Sequence, residues 1–535
     1  MTLLVVPVFG ADVGEVQAGI KEAVDLGADA VELRIDLMGD LTDEELRAVR
    51  RSIPQGIKVI LTIRSAAEGG GWEGADADRF SRFIELGPLA DYIDVEQRAW
   101  RRSANIRQKV ELALHRADAS LHEPGSAATL DGPRRKLILS QHDQASRPTN
   151  LHADLLAMVQ EPACDVAKLA WRARSVRDNF EAFELMRAGP RPLISICMGD
   201  AGLPSRVLAR KFGAFASFAS QAPGRATAAG QPTVSELKQL YHWDSIDAAT
   251  EVYGVLGDPV AHSLSPHVHN AAFAAARRNA VYLPFLVTAG YEPFKAFMVE
   301  VLARRWLDVR GLSITIPHKE NALRFLHESG AEVDPPAATI GAVNTLIVSP
   351  DGSVKGLNTD HAAALKCIQR VVGPRPGGLR GLTIAVLGAG GVARAVVAAL
   401  TSAGATVTIC NRTAERAAAL CSRFDCGQRR WAERDRLEAD LLVNCTSLGL
   451  WPDADASPIQ AGALARYGAV FDTVYCPERT KLLHDAANAG CKIIGGLEMF
   501  VEQAVAQFIA WTGNAASPAS FMDTARRALV QTRTG

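Results

Sequence analysis

The chain lacks a surplus of charge: 58 Lys and Arg stand against 59 Asp and Glu, a formal net charge of −1. Nucleic acid or an anionic membrane calls for a basic face, so neither is expected as a partner, and any bound anion must rely on locally placed arginine and lysine. No uninterrupted apolar stretch is long enough to span a bilayer. Residues Met1 to Val8 have no basic segment and read as a first strand rather than a targeting peptide. Cysteine is sparse and scattered: nine occur, and the close pair Cys421 and Cys426 has no second pair with which to form a zinc site. These absences predict a metal-free protein of a reducing compartment, the cytoplasm or, after removal of a transit peptide, a plastid. Its partners are expected to be small molecules.

What is present is a globular composition, 48% hydrophobic over 535 residues, enough for three or four folding units. Up to about residue 233, short β-branched runs alternate with helical segments: 3–9, 30–37, 59–64, 92–96, 137–142, 166–171, 193–198 and 215–220. Eight strands at βα spacing within about 230 residues match the size of a (β/α)8 TIM barrel. The pattern breaks near 233–251, and a new one starts at Val252.

Two lysines sit in apolar surroundings. Lys168 lies inside Val166-Ala167-Lys168-Leu169-Ala170-Trp171, and Lys319 follows the strand-like run Leu312 to Pro317. Desolvating an ammonium is costly, so each must be neutral, paired or functional. In a barrel the ends of all eight strands meet at one mouth. Glu32 and Arg34 in the second strand, Arg64 ending the third with Glu68 after it, His142 ending the fifth, Lys168 in the sixth and Arg206 after the seventh would converge there.

Such a mouth has a definite chemistry. A neutral Lys168 amine can attack a ketone, and protonating the resulting imine makes an electron sink that acidifies the neighbouring carbon. His142 would serve as general base and acid, with Glu68 holding its tautomer. Arg206, with Arg34 and Arg64, would clamp a carboxylate. The substrate is therefore expected to be an anionic ketone that loses or gains a group β to its carbonyl.

In the second half, Ser263 and Ser265 precede Pro266 and a helix; they read either as caps or as two hydroxyls aimed at one polyol carboxylate. Asp360 alone would be an N-cap, but with Lys319 it can form the proton relay needed when a carbonyl becomes an alcohol. The buried run Leu382 to Leu387 leads into Gly388-Ala389-Gly390-Gly391-Val392-Ala393 and a helix, the strand-turn-helix setting of a dinucleotide pyrophosphate. One strand later come Asn411-Arg412-Thr413 and Arg416, where an NAD site carries an acidic residue. Arg412 and Thr413 suit a 2′-phosphate, which predicts NADP.

On these residues the first half resembles the type I 3-dehydroquinate dehydratases, through Glu32-Leu33-Arg34-Ile35-Asp36, Arg64 to Gly70, Ser140-Gln141-His142-Asp143, Ala167-Lys168, and Met198-Gly199 followed by Ser205-Arg206. The resemblance implies Lys168 as imine former, His142 as proton-transfer residue, and a substrate-covering loop containing Thr227 and Gln231. In that loop threonine replaces the family's serine, and Ala229 its proline.

Residues 252–535 resemble the shikimate dehydrogenases, through Ser263 and Ser265, Thr315 to Lys319, Asn344, Asn358 to Asp360, the glycine turn, Asn444 to Ser447, Asp472 to Tyr475, and Gly495 to Met499 with Gln503. This implies Lys319 and Asp360 as catalytic pair, with Ser263, Ser265, Thr315, Asn344, Tyr475 and Gln503 around the substrate. His361 stands where many relatives have glycine.

The expected architecture is α/β: a barrel over 1–235, a linker over 236–251, a substrate domain over 252–359 completed by 496–535, and a Rossmann NADP domain over 360–495. The resemblances imply conversion of 3-dehydroquinate to 3-dehydroshikimate and then to shikimate, with fusion raising the chance that the intermediate reaches the second site. The rival readings are a dehydrogenase that prefers quinate, a barrel that only binds, and a lysine-imine aldolase.

Overall fold

The structure is a computed structural model that describes residues 2–115, 134–189, 191–373 and 377–534. It divides into two units, Met1–Thr250 and Glu251–Gly535.

The first unit is a barrel of eight parallel strands: β1 (Leu3–Val8), β2 (Ala30–Arg34), β3 (Lys58–Thr62), β4 (Tyr92–Glu96), β5 (Lys136–Asp143), β6 (Val166–Arg172), β7 (Leu193–Met198) and β8 (Ala216–Phe218). They follow one another in the order β7-β6-β5-β4-β3-β2-β1-β8. Phe215 N donates to Leu193 O across the closing seam. Strands covered on both faces must be apolar along most of their length, which is why these runs are rich in Val, Ile and Leu.

Side chains alternate along a strand, so every second residue faces the barrel axis. Val5, Ala30, Ile60, Tyr92, Ile138, Val166 and Ile194 form one apolar cluster. Two residues further along β2 to β6 come Glu32, Thr62, Asp94, Ser140 and Lys168, all buried. The polar layer thus rests on an apolar floor, towards the C-terminal ends of the strands.

Residues 236–250, expected as a linker, are folded as part of the first unit. Trp243 is fully buried, and Lys211 Nζ donates to Ala248 O at 3.0 Å and to Thr250 O at 2.8 Å. Apolar anchors in a polar, irregular stretch explain the difference: Tyr241, Trp243 and Ile246 bury themselves while the residues between them stay outside.

The second unit has two sheets. The first is mixed and contains β9 (Glu251–Gly257), β10 (Ala280–Leu286), β11 (Val309–Ile314), β12 (Glu332–Val333), β13 (Thr345–Val348) and β14 (Val354–Leu357), in the order β10-β9-β11-β13-β14-β12. The C-terminal helices Gly496–Thr512 and Pro518–Thr534 return to it. Phe508, Trp511 and Phe521 share a core with Tyr253, Phe273 and Tyr282, and Trp511 Nε1 donates to Leu346 O at 3.0 Å. Gly311 allows this approach, since a Cβ there would lie 2.4 Å from the Trp511 ring.

The second sheet is parallel: β15 (Thr383–Leu387), β16 (Thr406–Asn411), β17 (Gly427–Arg430), β18 (Ala439–Asn444), β19 (Tyr467–Asp472) and β20 (Lys492–Ile494), in the order β17-β16-β15-β18-β19-β20. Counted from β15 this is 3-2-1-4-5-6, the doubly wound Rossmann arrangement, whose ligand crevice opens at the C-terminal ends of the strands where the order reverses. That point lies between β15 and β18.

Candidate active sites

The barrel mouth holds a cavity lined by all nine residues singled out in the sequence: Glu32, Arg34, Arg64, Glu68, His142, Lys168, Arg206, Thr227 and Gln231. Lys168 is 5% exposed. Its Nζ lies 2.8 Å from Asp94 Oδ2, 3.7 Å from Glu32 Oε1 and 4.4 Å from the centre of the Phe218 ring. The expected neutral amine is thus found as an ion-paired one, because a carboxylate from β4 offsets the cost of burying the charge.

Asp94 is itself held. Its Oδ1 accepts from Arg64 Nη2 at 2.9 Å and from Ser140 Oγ at 2.5 Å. Burial alone would raise its pKa, but Arg64 and Lys168 outweigh burial and hold the carboxyl well below the usual range. Conversely, Asp94, Glu96, Glu68 and Glu32 overcome burial at Arg64 and push its pKa up.

His142 reaches the cavity from the end of β5. Its backbone N donates to Glu68 Oε2 at 2.9 Å, and its Nδ1 lies 3.2 Å from the same oxygen. Burial, with Arg64 and Lys168 nearby, lowers the imidazole pKa well below its usual value, so the ring is neutral. Burial pushes Glu68 up to about 7 against the pull of Arg64.

The three arginines separate. Arg34 is bound twice by Asp36, at 3.0 and 2.7 Å, and Arg64 belongs to the Asp94 cluster. Arg206 donates Nη1 to Phe218 O at 3.2 Å and has no partner at Nε. Its guanidinium is therefore the one facing this cavity without a carboxylate among the described residues. In the covering loop, Thr227 N and Oγ1 lie 2.9 and 3.3 Å from Gln231 Oε1, which fixes the two side chains against each other.

A second cavity, in the second unit, is lined by Ser263, Ser265, Thr315, Lys319, Asn344, Asp360, Tyr475 and Gln503, again the full expected set. Lys319 Nζ and Asp360 Oδ2 are 2.5 Å apart. Asn358, not Asp360, caps the helix Thr359–Val372, which leaves the Asp360 side chain for Lys319. His361 continues that helix without distortion, its ring 3.4 Å from Ser402 Oγ. Neither serine side chain caps the helix Ser265–Ala275, whose N-cap is Leu264; Ser263 Oγ accepts from Ser265 N at 3.2 Å, and both serines line the cavity. Burial pushes the Tyr475 hydroxyl up to about 12, so it stays protonated.

Val392 brings the glycine turn to the edge of this cavity. Gly388 has φ +109, and a Cβ there would meet Cys445 O at 2.8 Å; at Gly390 it would meet nothing within 4 Å. Open space in front of Gly390, at the start of the helix Gly391–Ser402, suits the close approach of a pyrophosphate. Ala389 and Gly391 complete the turn, and Ala393 is buried beneath it. Asn411 Nδ2 donates to Thr413 O at 2.8 Å, shaping the end of β16 so that Arg412 and Arg416 stand exposed there. The residues present therefore fit a dinucleotide bearing a 2′-phosphate.

Several lining or supporting residues were given no role by the sequence, Ser140 among them although it stands in the motif Ser140-Gln141-His142-Asp143. Asp94, Glu96 and Ser140 look like ordinary strand residues, although each is two or four positions along the inward face from an apolar one. Gln507 also lines the second cavity, and its Nε2 donates to Asn344 O at 3.3 Å. It stands one helical turn after Gln503, a spacing that could have exposed it.

Comparison with known proteins follows this division. Residues 4–248 match the type I 3-dehydroquinase family, 255–346 the shikimate dehydrogenase substrate-binding domain, 372–447 the shikimate/quinate 5-dehydrogenase family and 496–526 the shikimate 5′-dehydrogenase C-terminal domain. A chloroplastic bifunctional 3-dehydroquinate dehydratase/shikimate dehydrogenase of Arabidopsis thaliana is 34% identical over 532 residues, covering 96% of this chain and 82% of that protein. The chain belongs to the bifunctional 3-dehydroquinate dehydratase/shikimate dehydrogenase family.

The second half is also similar to shikimate dehydrogenases that match about half of this chain. The NADP(+)-type shikimate dehydrogenase of Moorella thermoacetica is 40% identical over 297 residues, 53% of this chain and 94% of its own. A solved shikimate 5-dehydrogenase of Thermus thermophilus, in complex with NADP(H) and shikimate, is 37% identical and covers 52% of this chain and 100% of its own, with a TM-score of 0.46.

Proposed function

We propose that this chain dehydrates 3-dehydroquinate to 3-dehydroshikimate in the barrel and reduces 3-dehydroshikimate to shikimate at the second site. The observation that carries the reading is the pairing of two lysines with two carboxylates in two separate cavities, Lys168 with Asp94 and Lys319 with Asp360.

In the barrel, Lys168 forms an imine with the substrate ketone, and Arg206 takes the substrate carboxylate. Neutral His142 accepts the proton from the carbon next to the imine and returns one to the departing hydroxyl, so that water leaves. Glu68 keeps the Nδ1 side of the ring engaged, which leaves Nε2 for the proton transfers. Thr227 and Gln231 cover the substrate.

At the second site Lys319 donates a proton to the oxygen of the carbonyl under reduction, and Asp360 holds the ammonium in place. Ser263, Ser265, Thr315, Asn344, Tyr475 and Gln503 orient the ring hydroxyls and carboxylate. NADPH supplies the hydride when bound, with Gly388 to Ala393 at its pyrophosphate and Asn411, Arg412, Thr413 and Arg416 at its 2′-phosphate. The nine free thiols suit a reducing compartment, cytosol or plastid stroma. None of the helices among the described residues is long and apolar enough to cross a membrane.

One assay tests both halves: enone formation from 3-dehydroquinate, without and with NADPH, in the full chain and in Lys168→Ala and Lys319→Ala variants. Lys168→Ala is expected to abolish the enone while still oxidising NADPH with added 3-dehydroshikimate. Lys319→Ala is expected to do the reverse. A variant that loses both activities, or neither, contradicts the assignment.

A further inference from the structure

Asp94 is anchored from several sides before any substrate arrives. Arg64, two residues past the end of β3, and Ser140 of β5 hold its Oδ1 at 2.9 and 2.5 Å, while Lys168 of β6 meets Oδ2 at 2.8 Å. His142 of β5 faces the same cluster, and Glu96, the next inward residue of β4, lies 3.8 Å from Arg64 Nη1. Around Lys168 stand also Glu32 of β2, at 3.7 Å, and the Phe218 ring of β8. Glu32 is the more distant carboxylate and accepts from Thr62 Oγ1 at 2.8 Å. Glu68 is committed to His142.

We propose that Asp94 is the fixed counter-ion of the protonated imine at Lys168, an inference that rests on the imine reading of this site. The charge balance favours it. A lysine ammonium and a ketone give a protonated imine and one water: the C=O bond breaks, a C=N bond forms, and two of the three ammonium protons leave with the oxygen. One positive charge stands at the nitrogen before and after. A carboxylate already placed for the ammonium is therefore already placed for the iminium, and no dipole has to reorganise when the electron sink forms. A neutral imine would leave Asp94 with only Arg64 and Ser140, so the carboxylate favours the protonated form, the one that acidifies the neighbouring carbon. The pairing that seemed to disarm the nucleophile thus stabilises what the nucleophile becomes.

The test uses the full chain, 3-dehydroquinate and sodium borohydride, with the reduced adduct read by intact mass across a pH series. Asp94→Asn is expected to lower the trapped fraction and the dehydration kcat about tenfold or more, the equivalent of one pKa unit. The pH at which trapping fades should move down by about 1–3 units, the usual effect of one close charge. Reduction of added 3-dehydroshikimate reports that the rest of the chain is intact. Since the Asn variant leaves Arg64 short of a charge and could unfold the barrel, Asp94→Glu is measured beside it. With the charge retained, its trapping limb should stay at the wild-type pH even if its rate falls. Unchanged trapping in Asp94→Asn, or a limb displaced in Asp94→Glu, overturns the counter-ion role. Absence of any adduct in the wild type would instead overturn the imine reading beneath it.

Discussion

Lys319 Nζ lies 2.5 Å from Asp360 Oδ2, a contact between residues 41 positions apart, each in the first turn of its own helix. The ammonium is held in one place, because its partner is fixed in a helix that Asn358 caps. Asp360→Asn is expected to lower kcat for 3-dehydroshikimate reduction by about 10²–10⁴-fold, the range for a positioned proton-transfer group, and to leave dehydration unchanged. NADPH oxidation under saturating substrate measures it; a loss confined to KM would assign Asp360 to binding alone.

Glu68 should govern the pH dependence of dehydration. Burial raises its pKa to about 7, so it loses its charge as pH falls through that value and with it the anionic acceptor for His142. The rate should therefore rise through pH 7 in the wild type, and Glu68→Gln should flatten that limb. A wild-type profile flat between about pH 6 and 8 would remove Glu68 from this role.

Arg412 and Arg416 stand exposed at the end of β16, with no carboxylate partner among the described residues. Charge-assisted hydrogen bonds contribute about 1.5–3 kcal/mol each, so Arg412→Ala is expected to raise the KM for NADPH by about 10- to 100-fold. The KM for NADH should hardly move, since that cofactor lacks the phosphate. Equal losses with both cofactors would place Arg412 elsewhere.

Asp472 closes β19, accepting from Thr480 Oγ1, Val474 N and Asn444 Nδ2 at 2.6, 3.1 and 2.9 Å. Burial outweighs these bonds and raises its pKa from 3.8 to about 6. The folded state therefore binds this proton more tightly than the unfolded one. The resulting stability is fully present below pH 3.8 and is lost as pH rises through about 6, by at most about 3 kcal/mol. Asp472→Asn should flatten that part of the pH–stability curve in thermal unfolding.

The barrel strands were legible because parallel strands buried on both faces leave continuous β-branched runs, and His142 and Lys168 stood out as polar residues within them. Asp94 did not. An acid in Tyr92-Ile93-Asp94-Val95-Glu96 looks like a solvated strand residue, and only the ring of neighbouring strands turns Asp94 towards Lys168. The glycine turn and Arg412 were readable because their chemistry is local in sequence. Gln507 and the Asp472 network depend on how distant elements meet. Of the three arginines expected as a clamp, Arg34 and Arg64 are engaged by Asp36 and Asp94, carboxylates that the sequence reading had not placed.

The burial of Trp243 and the seating of Ala248 and Thr250 on Lys211 bear on any attempt to separate the two enzymes. A gene cut after codon 235 would strip the barrel of a tryptophan plug, and losing such a ring from a core costs about 3–5 kcal/mol. It would also leave the Lys211 ammonium without its two carbonyl acceptors. A stand-alone dehydratase must therefore be cut after Thr250, where the second enzyme's first strand begins at the very next residue.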